Sequence, residues 1–107
     1  MRRGDLISVV LVRDYGKPRP AIIVQSDQFQ HLDSVTVVPL TSDRVKQEVF
    51  RVQLEPSDEN GLRQKSQVMI DKVAALPRAK IGALIGRVAD DDMAAVDRAL
   101  AAFLGFA

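Results

Sequence analysis

The feature that most constrains this chain is its punctuation. Aliphatic runs of strand length are each cut short by glycine, proline or a polar cluster, and only the last segment shows helical spacing. Asp5 to Arg13 is rich in branched aliphatics and reads as a largely buried strand. Asp14-Tyr15-Gly16-Lys17-Pro18 is a turn, and Arg19 to Gln25 resumes the apolar run through Ala21-Ile22-Ile23-Val24. Two such runs around a short turn predict an antiparallel hairpin, with Pro18 and Pro20 at the start of its second strand, where a missing N–H is tolerated. Ser26 to Ser34 is polar and predicts a loop with a short helical turn. Val35 to Leu40 reads as a third strand, followed by a polar connection from Thr41 to Glu48. Residues 49–54 alternate apolar and polar, as a half-exposed fourth strand does. Glu55 to Gly61 is a turn cluster, Gln67 to Asp71 a fifth strand, Leu76 to Lys80 a short turn, and Leu84 to Val88 a further short strand.

The C-terminal segment predicts one helix. Asp90 suits the N-cap, with Asp91 and Asp92 in the first turn, where carboxylates interact favourably with the helix dipole. That explains the acidic cluster without a metal. Met93, Val96, Ala99, Leu100, Phe103 and Leu104 recur at helical spacing and form one stripe expected to pack on the core. The expected architecture is mainly β (α+β by count): about five short antiparallel strands in a curved, barrel-like sheet, with a C-terminal helix laid against it. Its 107 residues suit one domain, 1–107.

Composition narrows the chemistry. Cysteine is absent, so a disulfide framework, an iron–sulfur cluster or a thiolate zinc site is excluded. His31 is the only histidine, which excludes a two-histidine acid–base pair. No metal and no cofactor are expected. The charged start, Met1 to Asp5, lacks the apolar run of a secretory signal, and Leu6 to Val12 is too short to span a bilayer. A cytoplasmic location without membrane partners is therefore expected. The net charge is +1, but residues 90–107 carry −3, leaving +4 on the rest. A mildly basic body suits a polyanion, although mixed surface charge accounts for it at least as well.

Several segments, taken in order, carry a family resemblance. They are Arg3-Gly4-Asp5, Gly16-Lys17-Pro18-Arg19-Pro20-Ala21, Val38-Pro39-Leu40-Thr41-Ser42, and Ser66-Gln67-Val68-Met69-Ile70-Asp71. Gly86-Arg87 and Asp97-Arg98-Ala99-Leu100 follow them. The set resembles the MazF/PemK/Kid toxins over nearly the whole chain. The resemblance implies an SH3-like antiparallel barrel with a C-terminal helix, usually a symmetric homodimer. It implies cleavage of single-stranded messenger RNA at a short sequence, held in check by a cognate antitoxin whose disordered tail wraps the toxin.

RNA supplies its own nucleophile, the 2′-hydroxyl, so an enzyme that uses it needs no metal. It must align the chain and stabilise the charged phosphorane. By resemblance Arg19 matches the family's catalytic arginine. Its planar fork suits two phosphate oxygens, and because a guanidinium stays protonated in proteins it is expected to act as a clamp. The alternative for Arg19 is a local ion pair. Thr41, with Ser42 beside it, matches the active-site threonine; the alternative is a strand-end hydroxyl bonding nearby backbone. Asp71 matches an aspartate implicated as base in the Kid-like branch, or else bonds the following turn. Met69 stands where that branch has an arginine, and its first-loop histidine has no counterpart. Asp5 matches an acidic position near the family's N-terminus and is a candidate for organising Arg19. Tyr15 and Lys17 are candidates for a base and a phosphate contact, and Arg44 joins Ser42 and Asp5 as an RNA-binding candidate. A weaker likeness to CcdB, a non-enzymatic gyrase poison, lies in Val24-Gln25-Ser26-Asp27, Val38-Pro39-Leu40 and the last five residues. Leu104 stands where CcdB has tryptophan, and CcdB lacks the Gly-Lys-Pro-Arg-Pro turn.

Overall fold

A computed structural model describes residues 1–43 and 51–106. Among them the chain forms β1 (Asp5–Val10), β2 (Pro18–Ile23), β3 (Ser34–Thr41), β4 (Val52–Leu54), β5 (Ser66–Val68), β6 (Ala74–Pro77), β7 (Ile81–Arg87) and the helix α1 (Asp90–Leu104). All strand pairs are antiparallel, in the order β4-β5-β3-β2-β1-β7. Strand β3 is the hub. One edge pairs with β2; on the other, residues 34–37 pair with β6 while Leu40 and Thr41 pair with β5. Among the described residues the sheet does not close by strand pairing. The β4–β5 loop instead reaches β7, where the Arg87 N–H donates to the Glu59 carbonyl at 2.9 Å.

The central strands are buried on both faces, which is why they read as continuous aliphatic runs. Leu6, Ile22, Val38 and Leu40 point toward one core, beneath Met93, Val96 and Leu100 of the helix. Ile7, Val9, Ala21, Ile23, Val35 and Val37 point the other way into a second cluster. The strand period of two thus splits one aliphatic run into two cores.

The hairpin, the helical turn at Asp27–Phe29 and the terminal helix match expectation. Other elements differ. Strand β1 stops at Val10, and Val12–Asp14 forms a 3₁₀ turn in place of the strand expected to reach Arg13. Strand β5 stops at Val68: the Met69 N–H bonds the Pro39 carbonyl at 2.9 Å, and Ile70–Lys72 curls into a 3₁₀ turn that drops Ile70 into the core. Ala74–Pro77 is a strand although alanine favours strands weakly; its pairing with β3 decides. Arg78–Lys80 makes the 3₁₀ turn and β7 starts at Ile81, earlier than expected. The fourth strand is described only from Val52, since residues 44–50 lie outside the described set.

At the helix start the N-cap is Ala89 rather than Asp90, and Asp90, Asp91 and Asp92 all lie in the first turn. Their dipole role holds, while the expected side-chain cap is absent. At the other end Gly105, at φ 88°, lets the Phe106 N–H bond back to the Ala101 carbonyl at 3.0 Å, as helices that end on a left-handed glycine do. The apolar stripe overstates burial here: Phe103 and Leu104 are 48% and 55% exposed. Periodicity marks the apolar face of a helix but not how far the surface beneath it extends.

This burial map predicts a contrast in unfolding free energy. Ile22→Ala should cost about 2–5 kcal/mol, and Phe103→Ala no more than about 1 kcal/mol. Urea titrations of both variants measure it, and equal losses would contradict the assignment of Ile22 to the core and Phe103 to the surface.

Candidate active site

The site begins at the β1–β2 turn. Tyr15 and Gly16 both adopt positive φ, 53° and 87°, so the chain reverses within a few residues of Asp14. The reversal brings the Asp14 carboxylate onto the side chain of Arg19, the second residue of β2. Asp14 Oδ2 and Oδ1 accept from Arg19 Nε and Nη2, both at 2.8 Å. Arg19 Nη1 donates to the Leu40 carbonyl at 3.1 Å. The two side chains are 9% and 26% exposed, so this is a largely desolvated two-point pair, stronger and better fixed than a surface ion pair. Three of the guanidinium's five N–H donors are used in these bonds, which leaves one on each terminal nitrogen.

Register supplies the second group. Ala21 lies opposite Pro39 in the β2–β3 pairing, and carrying that register two residues further sets Arg19 opposite Thr41. Residues directly opposite on antiparallel strands share a face. Thr41 Oγ1 accepts from the Asp43 N–H at 3.1 Å, closing a small turn at the strand end. That bond uses a lone pair and leaves the hydroxyl proton to be donated elsewhere. Between the strands lies an open groove of about 270 Å³, walled by Asp14, Lys17, Arg19, Thr41, Ser42 and Asp43.

Four of the candidates named from sequence therefore converge: Arg19, Thr41, Ser42 and Lys17. Both alternatives weighed for the first two are also present, since Arg19 has a local ion pair and Thr41 bonds its own turn. Neither bond exhausts the donors involved. Tyr15 sits at the tip of the same turn, 95% exposed.

The other candidates lie elsewhere. Asp5 does not organise Arg19. It lies at the far end of the hairpin, next to Leu6, which pairs with Ile22, and it accepts from Arg87 Nη1 at 2.9 Å and from the Arg2 N–H at 2.8 Å. Asp71 does not close a strand and does not line the groove. Its Oδ2 is 3.2 Å from Lys72 Nζ, and its buried Oδ1 has no hydrogen-bond partner among the described residues. Arg44 lies outside the described residues. His31 is exposed in its loop, with its ring centroid 6.5 Å from that of Phe29.

The residue missed in the sequence is Asp14, which does what was expected of Asp5. A usable signal was present: a carboxylate five positions before Arg19, across a Gly-Lys-Pro turn, is close enough to fold back on it.

Residues 2–104 match the family described as PemK-like, MazF-like toxin of type II toxin-antitoxin system. The chain belongs to this family. It is 44% identical over 108 residues to the probable endoribonuclease MazF of Mycolicibacterium smegmatis, covering 100% of this chain and 99% of that protein. Among solved structures, it resembles an endoribonuclease in complex with its cognate antitoxin from a mycobacterial species. The TM-score there is 0.83 at 27% identity, with 100% and 97% of the two chains covered. The Mycobacterium tuberculosis toxin MazF-mt6 superposes with a TM-score of 0.80 at 27% identity, covering 98% and 99%. The barrel-like sheet and terminal helix are thus the fold of these toxins. Among the described residues no helix is long and apolar enough to cross a membrane.

The geometry predicts that Asp14 immobilises Arg19. In ¹⁵N spectra the Arg19 Nε–H should exchange slowly with water in the parent protein and rapidly in Asp14→Ala. Equal exchange in both proteins would mean that the pair does not hold the fork.

Proposed function

We propose that this toxin is a metal-independent endoribonuclease that cuts single-stranded messenger RNA by 2′-hydroxyl attack. One observation carries it: a guanidinium already fixed by Asp14 and the Leu40 carbonyl shares a groove with a strand-end threonine hydroxyl. The groove is open and able to admit a chain.

The chemistry follows from what RNA needs. The 2′-oxygen bonds to phosphorus as the P–O5′ bond breaks, leaving a 2′,3′-cyclic phosphate and a free 5′-hydroxyl; one proton leaves the 2′-oxygen and one reaches the 5′-oxygen. Negative charge builds on the non-bridging oxygens in between. The two remaining Arg19 donors bind those oxygens, and the Thr41 hydroxyl adds a third bond. Lys17 and Ser42 hold the neighbouring backbone, and the exposed Tyr15 ring offers a face for a base. DNA lacks the attacking hydroxyl and is left intact. Asp71 and Asp5 have no part in this assignment.

The likeness to toxins solved with their antitoxins supports a cognate antitoxin protein as partner. Family kinship supports a homodimer working in the cytoplasm.

Purified protein incubated with single-stranded RNA in EDTA, followed by end mapping, tests the proposal. The expected products carry 2′,3′-cyclic phosphate ends, and a single 2′-deoxy substitution at the cut abolishes cleavage there. Arg19→Ala should lose about 100-fold in rate or more, and Thr41→Ala about tenfold or more with the fold retained. Thr41→Ser, which keeps the hydroxyl, should retain most of the rate. RNA left whole while gyrase–DNA complexes accumulate would instead mark a gyrase poison.

A further inference from the structure

Beyond the Thr41–Ser42 wall of the groove lies a second cavity, about 380 Å³, that shares Pro20, Leu40, Thr41 and Ser42 with it. Its other wall comes from the β4–β5 loop and β7. Leu62 and Ile85 add to the apolar lining begun by Pro20 and Leu40, while the exposed Arg63 and Gln64 add polar groups. None of these loop residues stood out in the sequence.

The loop wall is preformed. Asn60 is only 4% exposed, and both the oxygen and the nitrogen of its side-chain amide are hydrogen-bonded within the loop. Its Oδ1 accepts from the Ser57 and Leu62 N–H groups at 3.0 and 2.9 Å, and its Nδ2 donates to the Glu55 carbonyl at 2.8 Å. Ser57 Oγ in turn accepts from the Asn60 N–H at 3.1 Å. The loop then presses on β7 at two glycines. A Cβ on Gly61, which sits at φ 72°, would lie 2.4 Å from the Ile85 carbonyl oxygen, and one on Gly86 would lie 2.4 Å from that of Asn60. A wall held this closely needs little ordering when a ligand arrives, so binding energy is not spent on closing it.

We propose that this cavity receives the base of a nucleotide flanking the scissile linkage and that Arg63 and Gln64 select it. The proposal rests on the ribonuclease function above and adds where sequence is read. The position follows from the shared wall: a strand whose phosphate sits between Arg19 and Thr41 has its next base within reach of the cavity. The chemistry fits a base, which needs apolar surface for its ring faces and polar groups at its edge. Arg63 carries only donors and Gln64 both donors and an acceptor, so the pair favours guanine or uracil, which present a keto oxygen where adenine and cytosine present an amino group.

The test is cleavage of a random-sequence RNA pool, with deep end mapping, by the parent protein, Arg63→Ala and Gln64→Ala. Both side chains are exposed, so the variants should fold, and circular dichroism checks this. In the parent protein, one position beside the cut should be restricted to guanine or uracil. In at least one variant the ratio of cutting between matched and mismatched bases at that position should fall about tenfold, with selectivity elsewhere unchanged. Variants that keep the parental ranking at every position would overturn the proposal while leaving the ribonuclease intact. A parent protein that cuts no RNA under any condition would overturn both.

Discussion

The Asp14 carboxylate and the Arg19 guanidinium meet along two parallel hydrogen bonds, and the site's geometry depends on that meeting. An arginine at the mouth of an open groove would otherwise hold about 2 kcal/mol of rotamer entropy to be lost when a phosphate binds. Here the loss is incurred on folding. The cost is electrostatic, since a carboxylate beside the guanidinium offsets part of its charge. The third bond, to the Leu40 carbonyl, fixes the fork relative to β3, and so relative to Thr41 on the next residue. Positioning and charge are thus traded against each other in one turn, with Lys17 adding a second cation to the same wall.

Two physical groups stand out among the motif residues that carry the family resemblance. Gly16 to Pro20 and Leu40 to Ser42 build the groove. Arg3-Gly4-Asp5 and Gly86-Arg87 build a clasp at the other end of the sheet. Arg3 pairs with Asp97 on the helix and donates from Nε to the Val24 carbonyl at 2.9 Å. Arg87 Nη1 donates to both Asp5 Oδ1 and the Arg3 carbonyl, at 2.9 and 3.0 Å. Gly4, at φ 92°, passes beneath that guanidinium, where a Cβ would stand 3.4 Å from its nitrogens. The clasp joins the chain start, β7 and the helix. A match to a family pattern does not by itself say which of its residues line the groove: Asp5 is as much a part of the motif as Arg19, and it belongs to the clasp.

The same separation appears in the loop after β4. From its composition it was legible only as a turn cluster. Its significance comes from Asn60, whose buried amide turns the turn into a wall, and from the distant Gly86 that lets the wall stand close to β7.

What the sequence determined by itself was whatever depends on near neighbours along the chain. Aliphatic runs ended by glycine and proline dictated the first hairpin and β3, helical spacing dictated α1, and the order of the motifs pointed to the family and to Arg19 and Thr41. What only the tertiary structure decided depends on partners brought from elsewhere. Strand β6 forms because β3 offers it an edge, and Phe103 stays half exposed although it lies on the apolar stripe. Asp71 is taken out of its strand by the turn that buries Ile70. Asp14 and Asp5 are both carboxylates near the chain start, but register sends one to Arg19 and the other to Arg87. Side-chain type and spacing state what a residue can do, whereas the choice among possible partners is made by packing, and packing is a property of the whole chain.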